Sequence, residues 1–431
     1  MPIDIHDVED LVRRQEQWRG RETINLIASE NAQSRAVREV QNSDFMARYA
    51  EGHPNEEGRI NRYYQGTQYI DEIERKARRE ICELFRCRQA DVRPISGNAA
   101  NTAIALGWLR GGDSVIVNST DAGGHISHNL VGVFGRRIQM RGQTLTAGRD
   151  NSVHLHFFPL APDRYHMDAK GAVEMIDRIH PQLVVLGKSL FLFPEPLAEL
   201  VPICRERKIP ILFDGAHVLG LIAGGQFQDP LHEGATYLTG STHKTFPGPQ
   251  RGVILANLED PESETTYWGP ADRGVFPGSS SNHHLHSLAG LVVATREMKQ
   301  HGREYTRQIV GNAQALGRAL TDQGIPVEAK DFGFTKSHQI AVNVSTFGGG
   351  VEVAKRLENE DVIVNYNMLP GDQDPRNPSG LRIGVQEMTR FGMGEREIGE
   401  LATLMADAIR GKAVKEAVNR LRGRFVEMRY V

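Results

Sequence analysis

The sequence predicts an α/β protein: a large domain with a mostly parallel sheet in a three-layer arrangement, followed by a smaller α+β C-terminal domain. Three observations carry this. The runs SVIV (114–117), LVVLG (183–187), ILFD (211–214) and GVILA (252–256) are continuously apolar rather than alternating. Such runs suit strands buried on both faces, as in a parallel sheet covered by helices. Amphipathic stretches lie between the runs. Ile70, Ile73, Ala77, Ile81 and Leu84 recur every three to four residues and predict a helix over 69–87 with one buried face. Asp168 is placed to cap a second helix over 169–179. Finally, polar clusters sit beside the strand ends: SGNAAN before a helix, DAGGHISH after SVIV, KS after LVVLG and DGAH at the end of ILFD. Ligands in such sheets bind beyond the carboxyl ends of the strands, so these clusters are expected to converge on one site.

From about residue 290 the texture changes. A long helical pattern over 288–323 leads to strands near 339–345 and 362–366, then to helices near 395–410 and 413–424. The expected division is an N-terminal arm and helix over 1–30, a large domain over 31–287 and a small domain over 288–431.

Composition excludes several classes. At 431 residues the chain can bury a large core, and 39% hydrophobic with 24% charged residues is ordinary for a globular protein. A formal charge of −3 provides no basic field for nucleic acid or an acidic membrane. No apolar run approaches a membrane span, and MPIDIHDVEDLVRRQEQ is unlike a signal or transit peptide. The three cysteines, Cys82, Cys87 and Cys204, are too few and scattered for a disulfide framework or zinc knuckle. A cytoplasmic protein is expected.

The segment GSTHKTFPGPQRGVI (240–254) places Lys244 between small hydroxyl residues and a Pro-Gly-Pro turn. It is not a P-loop, because His243 stands where the second glycine would be. A lysine that forms a Schiff base with a carbonyl cofactor is the reading that the rest of the chain supports. Pyridoxal phosphate needs an amine, which Lys244 offers. It needs a carboxylate that keeps the pyridine nitrogen protonated, and Asp214 ends an apolar strand. It needs an anion cradle, which Ser96, Gly97 and Asn98 form at the start of a helix. His125 could cover the ring face, and Arg382 in GLRIGV could fork onto a substrate carboxylate. Singly, each has a plainer reading: a turn aspartate, a packed histidine, an N-cap, a surface arginine. Their joint occurrence and order, with Lys244 thirty residues after Asp214, favour the cofactor site. A metal centre at GHISH (His125, His128) or HHLH (His283, His284, His286) is disfavoured, since no carboxylate pattern of the HExxH kind accompanies them.

These residues lie in longer motifs: LIASEN (26–31), RYAEG (48–52), RYYQG (62–66), SGNAAN (96–101), GGHISH (123–128), DGAHVLGL (214–221), STHKTFPGPQ (241–250) and GLRIGVQEMTRFGM (380–393). With them the chain resembles the serine hydroxymethyltransferase family, fold-type I pyridoxal phosphate enzymes, over nearly its whole length. FMARYAEGHP, GLIAGGQFQDPL, SNHHLH and NPSG are most similar to the archaeal branch.

The resemblance implies that Lys244 carries the cofactor, Asp214 pairs with the pyridinium, and His217 and Ser189 lie near the ring hydroxyl. It implies that His125 stacks on the ring and that Ser96, Gly97 and Asn98 hold the phosphate. Ser29 and Arg382 would bind the substrate carboxylate. Tyr49, Glu51 and Tyr64 would enter the neighbouring subunit's site, Glu51 handling a proton and Tyr64 orienting substrate. Ser281 and Asn282 stand where the family has a glycine pair that reaches the partner's phosphate. Tyr63 and Asn367 match positions that touch the pterin. The implied assembly is an obligate homodimer, or a dimer of dimers. The implied reaction is reversible one-carbon transfer between serine and tetrahydrofolate or a related tetrahydropterin.

Some features depart from the family. NEEGRIN (55–61) replaces a loop of about two residues, a lengthening that costs little in closure entropy. The cradle reads SGN rather than SGS, Arg251 stands in place of a glycine, and Val385 replaces a threonine. These changes motivate an alternative: a natural-product enzyme of the same family, acting as a threonine transaldolase, or on S-cysteinyl conjugates by elimination or decarboxylative deamination. A cofactor-binding scaffold without turnover would be expected to lack Lys244, Asp214 or Arg382, and all three are present.

Overall fold

The computed structural model describes residues 5–130, 132–135 and 153–431. The chain forms two compact units, Asn31–Thr306 and a second made of Met1–Glu30 with Arg307–Val431. A continuous helix, His286–Asp322, contains the point where the first unit ends, whereas the large domain expected from sequence ends at 287.

The Asn31–Thr306 unit is organised by a seven-stranded sheet. Its strands are β1 (Gln89–Asp91), β2 (Ser114–Val117), β3 (His154–Phe157), β4 (Leu183–Leu186), β5 (Ile211–Asp214), β6 (Tyr237–Ser241) and β7 (Gly252–Ala256). Their spatial order is β1-β7-β6-β5-β4-β2-β3. Strands β2 to β6 run parallel; β7 is antiparallel to β6, and β1 to β7. Every residue of β4, β5 and β7 is buried, as the apolar runs predict, and so is every residue of β6. Ile104, Val115, Val185, Leu212, Tyr237 and Ile254 belong to one core on this sheet.

Strand β6 was not evident in the sequence. It reads YLTGS, and its polar last three residues resemble a loop. Tertiary contacts make it a strand: Thr239 donates to Asn101 Oδ1 (2.7 Å), and Gly240 pairs with Val253.

The expected helix over 69–87 is α1 (Gln68–Phe85). Its buried face holds Ile70, Ala77 and Ile81 but also Asp71, Glu74 and Glu80, while Ile73 and Leu84 are half-buried. An apolar period therefore described only part of this face. The acidic residues can be buried because cations meet them: Arg62 bonds Asp71 (2.6 Å) and Glu74 (2.7 Å), and Arg296 bonds Glu80 (2.7 Å). The helix Ala169–Ile179 is capped as expected, with Asp168 accepting from the Gly171 amide at 3.1 Å.

In the second unit, β8 (Gln339–Asn343), β9 (Asn365–Asn367) and β10 (Gly380–Gly384) form an antiparallel sheet in the order β9-β10-β8. Its helices include Gly350–Asn359, Glu395–Ile409 and Lys415–Gly423. Glu387, just beyond β10, is buried and accepts from Asn25 Nδ2 at 2.8 Å. Burial pushes its carboxyl up to about 7, against an ordinary value of 4.5. The folded state thus holds this proton more tightly than the unfolded chain. The resulting stability is full below about 4.5 and is lost as pH rises through about 7. Glu387→Gln should therefore match the parent near pH 5 and exceed it at pH 8 by about 1–3 kcal/mol, since each pKa unit is worth about 1.36 kcal/mol. Unfolding midpoints followed across this pH range check it.

Candidate active site

Strand β5 ends on Asp214, strand β6 ends on Ser241, and the helix α2 (Gly97–Trp108) begins against Ser241 and Gly252. Together they line a cavity of about 190 Å³. Ser96, Gly97, Asn98, Asn101, His125, Ser127, Asp214, His217, His243 and Lys244 all contribute to its wall. The lysine, aspartate, phosphate-cradle residues and ring histidine singled out in the sequence thus share one cavity.

Each wall has a local cause. Ser96 caps α2 by accepting from the Ala99 amide at 3.1 Å. The first-turn amides of Gly97 and Asn98 have no acceptor within the helix and carry its positive pole, which suits a phosphate. A Cβ at 97 would meet Ser241 Oγ at 2.4 Å, so a side chain there would displace that hydroxyl from the cavity wall. Lys244 lies on the turn between β6 and β7. Thr242 Oγ1 closes that turn on the Pro249 carbonyl (2.6 Å) and Thr245 Oγ1 donates to the His217 carbonyl (2.8 Å). Asn31 of LIASEN donates to the Lys244 carbonyl at 2.6 Å. The small hydroxyl residues around the lysine therefore fix its backbone.

Asp214 is buried, and one oxygen accepts from His128 Nε2 (2.9 Å) and Asn101 Nδ2 (2.8 Å). The other accepts from the Ala216 amide at 2.9 Å. Burial alone would raise its carboxyl. The His128 hydrogen bond and charge, with the Ala216 amide, instead hold it well below the ordinary carboxylate range. A charged carboxylate kept dry at a cavity wall is what a pyridinium nitrogen requires. Burial, with the Lys244 charge, lowers His243 to about 4, so this histidine is neutral at physiological pH.

His128 and Asn101 were missed as site residues. Both lie in motifs already noted, GGHISH and SGNAAN, but only the fold brings them to Asp214. Ser189 is half-buried and does not line the cavity; its amide donates to the Gly123 carbonyl at 2.7 Å. Its neighbour Lys188 does line it.

Tyr49, Glu51, Tyr63, Tyr64, Ser281 and Asn282 are absent from that wall. All but Tyr63 form a second cluster in the same unit. The rings of Tyr49 and Tyr64 are 4.8 Å apart, and the Tyr49 hydroxyl meets Glu51 Oε2 (3.4 Å) and Ser281 Oγ (3.3 Å). Asn282 accepts from the Ala50 amide at 2.9 Å and donates to the Arg48 carbonyl at 3.1 Å. Tyr63 is 87% exposed and projects beside the cluster. Burial and the Glu51 charge raise the Tyr64 phenol above its usual value, so it remains a neutral donor.

In the second unit, Ser29 and Arg382 line one cavity of about 600 Å³ together with Asn365 and Tyr366. Arg382 donates to Asn365 Oδ1 from Nε and Nη2, each at 3.3 Å. Burial lowers its guanidinium to about 10, which leaves it charged at neutral pH. Asn367 lies on β9 opposite Gly380, with its amide turned to the Met368 carbonyl (2.6 Å).

The insertion is built rather than loose. Glu56 and Arg59 exchange backbone hydrogen bonds (3.1 and 3.0 Å) as a tight hairpin, and Asn55 Oδ1 accepts from the Asn61 and Arg62 amides.

Fold and cavity together define a fold-type I pyridoxal phosphate enzyme, a transferase that handles amino acids. Comparison with known proteins narrows this. Residues 4–405 match the serine hydroxymethyltransferase family. Serine hydroxymethyltransferase of Pyrococcus abyssi is 46% identical over 400 residues, covering 91% of this chain and 88% of the relative. That of Pyrobaculum arsenaticum is 43% identical over 433 residues, 100% of this chain and 95% of the relative. Among solved structures, L-threonine transaldolase of Pseudomonas fluorescens in its internal aldimine state aligns with a TM-score of 0.84. It shares 27% identity and covers 98% of this chain and 91% of that one. The chain belongs to the serine hydroxymethyltransferase family. No helix among the described residues is long and apolar enough to cross a membrane.

Proposed function

We propose that this chain is a serine/glycine hydroxymethyltransferase that moves a one-carbon unit between serine and tetrahydrofolate or a related tetrahydropterin. The observation that carries the reading is the single cavity joining Lys244, Asp214 and the α2 N-terminus, in a chain of this family. Bound pyridoxal phosphate supplies an electron sink for the pair released when a bond at the substrate Cα breaks. The chain's own groups do the rest. The Gly97 and Asn98 amides with Ser96 hold the phosphate, and His125 covers the ring. Asp214 holds the pyridinium proton, and His217 serves the ring hydroxyl. Arg382 and Ser29 take the substrate carboxylate, and this fixes which Cα bond is aligned for cleavage. Glu51 accepts the proton of the substrate hydroxyl, and Tyr64 orients that hydroxyl. Tyr63 and Asn367 contact the pterin.

Tyr49, Glu51, Tyr64, Ser281 and Asn282 form a partly exposed cluster away from the Lys244 cavity wall, which supports their service in a neighbouring subunit of a homodimer. A cytoplasmic location suits this metabolism.

The test is glycine formation from L-serine by cofactor-loaded protein, with and without tetrahydrofolate. Rapid, pterin-dependent glycine supports the reading, and a yellow protein that forms none would sink it. Glu51→Gln should leave glycine binding, followed by the visible spectrum, near that of the parent. Serine cleavage should fall by about 10²–10⁴-fold, the usual size of a lost proton transfer. Loss of cofactor in that variant would point to a structural role instead.

A second reading keeps the cofactor and changes the reaction: transaldol transfer from threonine to an aldehyde, or processing of an S-cysteinyl conjugate. The likeness to the threonine transaldolase and the ordered 55–61 hairpin favour it. Threonine with aldehydes, then S-linked cysteine conjugates, would be the next substrates if serine fails.

A further inference from the structure

Arg251 is wholly buried, although the family resemblance leads one to expect glycine there. Among the described residues no carboxylate lies within ion-pair distance of its guanidinium. Burial lowers it to about 10, against the upward pull of Glu74 and Asp91, so it is a buried cation at neutral pH. Such a group is costly unless its donors are met. They are met by the Val92 carbonyl (2.8 Å), the His284 carbonyl (2.6 Å), Ser287 Oγ (2.6 Å) and His283 Nδ1 (2.7 Å). A guanidinium cannot accept, so the His283 proton sits on Nε2, which lies 3.2 Å from Glu74 Oε2, within ion-pair distance but not aligned as a hydrogen bond. That same Glu74 oxygen accepts from Arg62 Nη2 at 2.7 Å. Glu74 is held down to about 2: burial raises it, and His283 and Arg62 more than reverse this.

Arg62 is the far end of the chain of contacts. Its Nε bonds Asp71 (2.6 Å), and its Nη1 donates to the carbonyls of Ala50 and Glu51, the latter at 3.3 Å. It directly precedes Tyr63 and Tyr64 in sequence. At the near end, His283 directly follows Asn282, which clamps the Ala50 amide and the Arg48 carbonyl. Arg251 is thus connected by two routes to the backbone that carries Tyr49 and Glu51, and by one to that of Tyr64.

We propose that Arg251 is a positioning residue for hydroxymethyl transfer. Through His283, Glu74 and Arg62 it sets the conformation in which Glu51 and Tyr64 are presented. The proposal rests on the functional reading above, in which Glu51 handles the proton. It predicts a lesion confined to steps that need Glu51, leaving the cofactor cavity intact.

The test compares the full-length, cofactor-loaded parent with Arg251→Met and Arg251→Lys. Arg251→Met should keep its visible cofactor absorbance and bind glycine within about threefold of the parent. Its kcat for serine cleavage should fall by about tenfold or more, the scale of a small misplacement at a reacting centre. Amide hydrogen exchange should rise across 48–52 and 62–66. Arg251→Lys, which keeps the charge and some donors, should recover part of the rate. If Arg251→Met fails to fold, Glu74→Gln interrupts the same route and should show the same pattern. A lowered melting temperature with unchanged kcat and unchanged exchange at 48–66 would overturn the proposal. So would an equal loss of glycine binding and serine cleavage. An inactive parent would overturn the functional reading and this proposal together, whereas an active parent with a fully active Arg251→Met variant would overturn only the positioning role.

Discussion

Lys244→Ala is expected to abolish the covalent yellow chromophore and to lower turnover by about 10³-fold or more, since both the attachment point and its amine chemistry are lost. The reason is geometric as well as chemical. The Lys244 backbone is held by Asn31 and by the closed turn around Thr242 and Thr245, so the amine is presented from a fixed point of the cavity wall. Lys188 also lines the cavity, but its ammonium donates to the Tyr165 carbonyl at 3.1 Å. The variant should still fold, because the contacts of Asn31, Thr242 and Thr245 that frame this turn do not involve the lysine side chain. It should also retain cofactor non-covalently through the α2 cradle. Absorbance spectra of the variant before and after gel filtration check this. A full parental spectrum would reassign the attachment to another lysine.

Asp214→Asn is the second large effect. An amide keeps the shape but not the charge, so the pyridine nitrogen loses the group that holds its proton. A fall in kcat of roughly 10²–10³-fold is expected, comparable with removing one preorganised electrostatic group from a reacting centre. The fold should suffer less. One Asp214 oxygen accepts from the Ala216 amide and the other from His128 and Asn101, and an amide can satisfy only one side. The donor left opposite its NH₂ group costs about 1–3 kcal/mol of stability. Steady-state rates and thermal melts on the same preparation separate the two terms. Unchanged turnover would remove Asp214 from the proposed mechanism.

Lys244, Asp214, Ser96, Gly97, Asn98 and His125 were legible because a cofactor site of this kind needs an amine, a carboxylate and a helix N-terminus beside strand ends. Asn101 and His128 were not, since nothing in GGHISH says which histidine turns inward. His128 is fully buried against Asp214, while His125 stays half-exposed at the cavity wall. In the sequence, Arg251 stood out only as a departure from the family that helped to motivate a different reaction. Its burial instead ties it to the 283–287 turn.

By itself the sequence determined the α/β class, the positions of strands β2, β4, β5 and β7, the main helices and which lysine is proposed to carry the cofactor. It could do so because continuous apolar runs and helical periods report burial locally. Only the tertiary structure decided that YLTGS is a central strand, that β7 turns antiparallel, and that acidic residues occupy the buried face of α1. The physical reason is that such features depend on partners distant in the chain. Thr239 needs Asn101, and Glu74 needs Arg62 and His283, before a polar strand or a buried carboxylate becomes stable.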